Sequence, residues 1–120
     1  MKINIKGTKI ELTAAIESYI KKKIGGVEKF ITMHAGEEIR AEVEIGKTTK
    51  HHHSGDIFRA EVNLSIHGKQ FRATSEKSDL YAAIDDARDE LVRELNSSKD
   101  KERTMFRRGA TAIKKLFYWD

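Results

Sequence analysis

The chain has 120 residues, 38% hydrophobic and 35% charged, with a net charge of +4. This is enough chain for one domain with a modest core, too apolar for full disorder and too polar for a membrane protein. The absence of cysteine excludes disulfides, thiol catalysis and thiolate metal sites.

Residues 2–6 alternate polar and apolar side chains, with Ile3 and Ile5 on one side, and predict a short strand ending at Gly7. Lys2, Asn4, Lys6 and Lys9 interrupt any apolar stretch, so no signal peptide is expected. Thr13 reads as the N-cap of a first helix with Ile16, Ile20, Ile24, Val27 and Ile31 on one stripe. Gly25-Gly26 within it costs about 1 kcal/mol per glycine relative to alanine. Either the helix weakens there or another group approaches its backbone closely.

Residues 37–45 alternate again, with Ile39, Ala41, Val43 and Ile45 facing inward, and Gly46 to Gly55 reads as a polar connection. Residues 57–67 give the longest strand signal, with Phe58, Ala60, Val62, Leu64 and Ile66 inward. His67-Gly68-Lys69 reads as a tight hairpin turn. A short strand carrying Phe71 and Ala73 follows. Ser78 then caps a second helix whose stripe is Leu80, Ala83, Ile84, Ala87, Leu91 and Leu95. The order β-α-β-β-β-α, with every strand alternating, predicts an α/β (α+β) two-layer sandwich. Two helices cover one face of a four-stranded sheet, and the other face is wet.

Residues 1–98 form the expected domain, and residues 99–120 a basic, partly helical tail. The first 98 residues carry 16 Lys/Arg and 16 Asp/Glu; the tail carries seven against three, the whole excess. Met105, Phe106, Ala110, Ile113 and Phe117 fall on one helical stripe flanked by Arg107, Arg108, Lys114 and Lys115. Such a segment can neutralise phosphates and stack on bases. It can equally lie on an anionic membrane or dock in a protein groove. Apolar runs such as Leu116-Phe117-Tyr118-Trp119 fall far short of the about 20 residues that span a bilayer.

Catalytic chemistry finds little support. His51-His52-His53 is the obvious metal candidate, but adjacent side chains on an extended loop splay apart, and Asp56 or His67 would have to help. No metal site and no cofactor is expected. Asp85, Asp86, Asp89, Glu90 and Glu94 lie mostly off the apolar stripe of helix 2 and read as a solvated face, because acid catalysis needs burial. No glycine-rich phosphate loop, HExxH pair or GxSxG elbow occurs, and no small-molecule substrate is implied.

Binding remains. The wet face of the sheet mixes signs and lacks paired aromatics for stacking. Helix 1 differs: Lys21, Lys22 and Lys23 are consecutive, and Lys23 flanks the buried stripe beside Tyr19 and Gly26. Arg88 and Arg93 are the basic positions of helix 2, followed by Lys99, Lys101 and Arg103. Two helices side by side thus carry a basic rim that the tail continues through Arg107 and Arg108. The plainer reading makes Lys21 to Lys23 a solvated helix face.

Four stretches stand out together: Asn4-Ile5-Lys6-Gly7, Leu12-Thr13 through Tyr19, Lys23 and Phe30, Gly55-Asp56-Ile57-Phe58-Arg59-Ala60-Glu61-Val62, and Asp79-Leu80-Tyr81-Ala82-Ala83-Ile84-Asp85. The last is followed by Leu91, Arg93, Leu95, Lys99 and Lys101. In motifs and spacing they resemble the ribosome hibernation promoting factor and ribosome-associated inhibitor family, in its short form with a basic C-terminal extension. The resemblance covers about residues 1–101. It implies a fold similar to double-stranded RNA-binding domains and a cytoplasmic stress or stationary-phase factor, monomeric when free. Such a factor binds the small ribosomal subunit, meeting 16S-type ribosomal RNA and neighbouring ribosomal proteins, in the channel used by messenger and transfer RNA. It silences translation by occlusion and makes or breaks no bond. On matching positions Lys23, Arg93, Lys99 and Lys101 are the implied RNA contacts; Lys22 and Arg88 follow from geometry alone. Gly26 and Glu90 stand where relatives commonly carry lysine. The chain is expected to lack room for the second, ribosome-pairing domain of long members. The rival reading is a protein-interaction module that docks a partner through its amphipathic C-terminal helix, without RNA.

Overall fold

Alternation along each strand builds the sheet as expected. The computed structural model describes residues 1–31, 38–48, 55–66 and 68–118, with side chains described as far as residue 109. Its elements are β1 (Lys2–Thr8), α1 (Ala14–Gly25) running into a 3-10 turn (Gly26–Phe30), β2 (Ile39–Thr48), β3 (Ile57–Ile66), β4 (Lys69–Lys77) and α2 (Leu80–Tyr118). The sheet order is β1-β2-β3-β4; β1 pairs parallel to β2, and the other two pairings are antiparallel. The parallel pair needs a crossover, and α1 supplies it.

Both helices pack on one face. Ile39, Ala41, Val43, Ile45, Ala60, Val62, Leu64, Ile66 and Ala73 point into the same core as Ile16, Ile20 and Ile24 of α1 and the six stripe residues of α2. Burying such side chains contributes roughly 1.5–3 kcal/mol for each of the larger ones. The opposite face is polar and paired across strands: Asn4 donates to Glu42, Thr8 to Glu44, and Arg59 and Arg72 both meet Glu61. Mixed signs on adjacent strands make this a solvated surface. The close approach at Gly7 is backbone-driven, since a Cβ there would lie 2.9 Å from the Ile10 carbonyl oxygen. Gly68 takes φ +75° in the β3–β4 hairpin, the left-handed conformation that glycine tolerates.

Some boundaries differ from the sequence reading. β2 extends through Thr48, taking in Gly46 to Thr48 from the expected connection. The first helix does not run to Ile31. It tightens into a 3-10 turn at Gly25-Gly26; a Cβ at Gly26 would meet nothing within 4 Å and one at Gly25 only the end of Ile3, at 3.8 Å, so the pair weakens the helix and neither position is required by a close neighbour. The cap of α2 is Asp79, not Ser78: the Asp79 carboxylate accepts from the Ala82 amide at 2.9 Å. From there α2 runs unbroken through Tyr118. His51–His53, His67 and Trp119 lie outside the described residues.

Candidate nucleic-acid interface

The site grows from the way α1 and α2 lie side by side. Thr13 caps α1, its hydroxyl accepting from the Ile16 amide at 3.2 Å, and this fixes the phase of the helix. With Ile16, Ile20 and Ile24 turned into the core, Lys21 and Lys22 are exposed and Lys23 stands half-buried toward α2. The Lys23 ammonium lies 3.7 Å from Asp85 and 5.5 Å from the centre of the Tyr19 ring. The 3-10 turn then brings up Lys29 and Phe30. Lys29 and Arg88 both lie on the Phe30 ring, at 5.3 and 5.6 Å from its centre, a cation–π arrangement.

Lys22, Lys23, Gly26 and Lys29 from one side, and Asp85, Arg88 and Asp89 from α2, line an open cleft of about 390 Å³. Four cations meet two carboxylates there. Lys23 is balanced by Asp85, and Arg88 by Asp89 at 3.0 Å. Among the described residues neither Lys22 nor Lys29 is ion-paired, so the cleft keeps an uncompensated positive charge. Exposed ion pairs of this kind contribute only about 0–1 kcal/mol each. A polyanion can therefore displace them at little cost.

Tyr19 holds Asp85, one of the residues that line the cleft. Its hydroxyl donates to Asp85 at 2.5 Å, and its pKa is pushed up to about 12, chiefly by that hydrogen bond and then by burial. Asp86, on the other flank of α2, accepts from Ser75 at 2.6 Å. The acidic series is thus no uniform solvated face: Asp85 and Asp86 are half-buried and tie α2 to α1 and β4.

The expected RNA contacts do not form a single rim. Lys22, Lys23 and Arg88 come together in the cleft. Lys99 lies eleven residues beyond Arg88, within about 20° of it around the helix, so it and Arg103 extend that flank. Arg93 is about 140° from Arg88. It is exposed and bonded through two nitrogens to Glu90, at 3.2 and 2.7 Å. Arg93, Lys101 and Arg108 line a shallower depression on the far flank of α2. Arg107 lies on its exposed back. Lys29 was not singled out in the sequence; its signal was its spacing from Lys22, hidden by the change of helix pitch at Gly26.

The sequence and the fold have known counterparts. Residues 3–103 match the family described as "Sigma 54 modulation protein / S30EA ribosomal protein". The chain is 31% identical over 101 residues to a "Ribosome hibernation promoting factor" of Klebsiella oxytoca, covering 84% of this chain and 96% of that one. It is 30% identical over 112 residues to the protein of that name in Pseudomonas putida, covering 93% and 99%. The crystal structure of the Thermus thermophilus Protein Y N-terminal domain superposes with a TM-score of 0.66 at 31% identity, covering 79% of this chain and 96% of that one. A ribosomal subunit interface protein from Coxiella burnetii shares the fold, with a TM-score of 0.65 at 17% identity over 83% and 99% of the two chains. The chain therefore belongs to the sigma 54 modulation protein / S30EA ribosomal protein family.

Proposed function

We propose that the protein is a ribosome hibernation factor that binds the small ribosomal subunit in its messenger and transfer RNA channel and silences translation by occlusion. The observation that carries this is the uncompensated cleft of Lys22, Lys23, Lys29 and Arg88 on a fold whose relatives are named for ribosome hibernation. In this reading 16S-type ribosomal RNA phosphates enter the cleft and displace Asp85 and Asp89 from their cations. Lys99 and Arg103 extend the contact along α2, and Arg93, Lys101, Arg107 and Arg108 meet RNA or ribosomal proteins on its other sides. The mechanism needs no cofactor, metal or bond-making step. It places the protein in the cytoplasm, consistent with the absence among the described residues of any helix long and apolar enough to cross a membrane.

Initiation on purified ribosomes with a defined messenger tests the occlusion. Protein added first should block initiation complexes, and messenger with initiator transfer RNA added first should protect them. Equal inhibition in both orders contradicts occlusion. One observation favours a second reading: Met105 and Phe106 are 71% and 78% exposed on α2, a surface suited to a protein groove. In that reading the amphipathic C-terminal helix docks a protein partner without RNA, so binding does not weaken with added salt, is untouched by a cleft of reversed charge and is strongly reduced by Phe106→Ser.

A further inference from the structure

Tyr81 stands in the first turn of α2 beside three residues that are turned inward. Leu80, Ala83 and Ile84 are 6%, 0% and 1% exposed, whereas Tyr81 is 38% exposed. Its ring is nevertheless held. It lies 4.8 Å from the Tyr19 ring, centre to centre, with the planes at 88°, an edge-to-face contact. Tyr19 is in turn fixed by its hydrogen bond to Asp85. A leucine would serve the packing alone. What a tyrosine adds at an exposed position is an ordered aromatic surface.

The position of that surface matters. Lys23 lines the cationic cleft and also lies over the Tyr19 ring, so the aromatic pair adjoins the cleft's positive charge. A positively charged groove for the backbone beside an ordered ring for the bases is the composition of a single-strand binding site. Of the other exposed large apolar side chains, Met105 lines the shallower depression with Arg93, Lys101 and Arg108 but has no ring to stack, and Phe106 lines neither concavity. We propose that Tyr81 is a stacking site for an unpaired nucleobase whose adjoining phosphate lies in the cleft. The inference rests on the RNA reading above and deepens it: the preferred ligand is a single strand or a flipped-out base, because a continuous duplex offers no free base face. Tyr81 supplies a face of any base, so the site favours unpaired nucleotides without selecting a sequence.

The test measures binding of the full chain, at low salt, to fluorescent single-stranded oligoadenylate of about ten nucleotides. Polyphosphate of matched charge, which has no bases, serves as competitor and second ligand. Tyr81→Ala should weaken oligoadenylate binding about 5- to 100-fold and leave polyphosphate binding unchanged. Tyr81→Phe and Tyr81→Trp should bind oligoadenylate like the wild type. Tyr81→Leu, which keeps an apolar contact with Tyr19, should lose as much as Tyr81→Ala, which separates lost stacking from a misfolded chain. Equal losses on both ligands, no loss for Tyr81→Leu, or no loss for Tyr81→Ala overturns the stacking site and leaves the cleft standing. A wild-type chain that binds neither ligand overturns the RNA reading itself.

Discussion

The two halves of α2 carry the same periodic stripe and meet opposite fates. From Leu80 to Leu95 the stripe lies against the sheet, with no member more than 6% exposed. Continued by the same spacing, it passes through Ser98 and Glu102 to Met105 and Phe106, which are 71% and 78% exposed. Polar residues mark the changeover, and Glu102 makes an ion pair with Lys69 at the β3–β4 hairpin. Periodicity therefore tells which face of a helix is apolar, and the reach of the sheet decides how much of it is covered. The covered half holds the cleft; the second half, with its excess of basic residues, exposes its described stripe residues Met105 and Phe106.

The largest difference between the halves should be in stability. Leu91→Ala removes a fully buried side chain and should cost about 2–5 kcal/mol, whereas Met105→Ala should stay within about 0.5 kcal/mol. Urea unfolding of the two variants checks this, and comparable losses would mean that the second half is packed after all.

Charge should separate the two flanks of α2 in the same way. Combined Lys22→Glu, Lys23→Glu and Lys29→Glu should strongly weaken ribosome binding and flatten its salt dependence. Arg93→Ala, which removes a cation already bonded to Glu90, should weaken it much less. Filter binding to small subunits across a salt series measures both. For about four phosphate contacts, the wild type should lose roughly 50- to 150-fold in affinity between 50 and 200 mM salt.

A smaller effect tests the tie between the helices. Tyr19→Phe removes the hydrogen bond to Asp85 and should cost about 1 kcal/mol. The sign of its pH dependence follows from the raised pKa. Tyr19 has a pKa of about 12 when folded against 10.0 as its ordinary value, so its contribution is fully present below pH 10 and is lost as pH rises toward 12. The stability gap between wild type and Tyr19→Phe should therefore shrink above pH 10, as thermal unfolding at a series of pH values would show. A gap that widens there would contradict the hydrogen bond's role.

The smallest expected change is a gain. Gly26 lines the cleft in right-handed helical geometry, and a side chain there meets nothing within 4 Å. Gly26→Lys should fold normally and tighten ribosome binding severalfold, mostly at low salt, in the same filter assay. Unchanged affinity would place the RNA outside the cleft.

The sequence was informative where physics is local. Alternation in β2 and β3 identified their buried faces, the Thr13 cap began α1, and all six stripe residues of α2 are buried. It was less so where neighbours compete or distant groups meet. Ser78 and Asp79 are both capable caps, and only the backbone path selects Asp79. Lys29 went unnoticed because the 3-10 turn at Gly26 resets the angular count along the helix. Asp85 reads as solvated because its partner Tyr19 lies 66 residues away, and although spacing alone parts Arg93 from Arg88 by about 140° around α2, only the packing of α1 shows which flank becomes the cleft.

We propose that the cleft, in the covered half of the molecule, carries the protein onto the small subunit. Co-sedimentation with separated small and large ribosomal subunits, at low and high salt, tests it most directly when wild type and the Lys22→Glu, Lys23→Glu, Lys29→Glu variant are run together. The prediction is that wild type travels with the small subunit alone at low salt and is released at high salt, while the variant stays at the top of the gradient. A variant that sediments like wild type, or a wild type that stays at the top even at low salt, would contradict it.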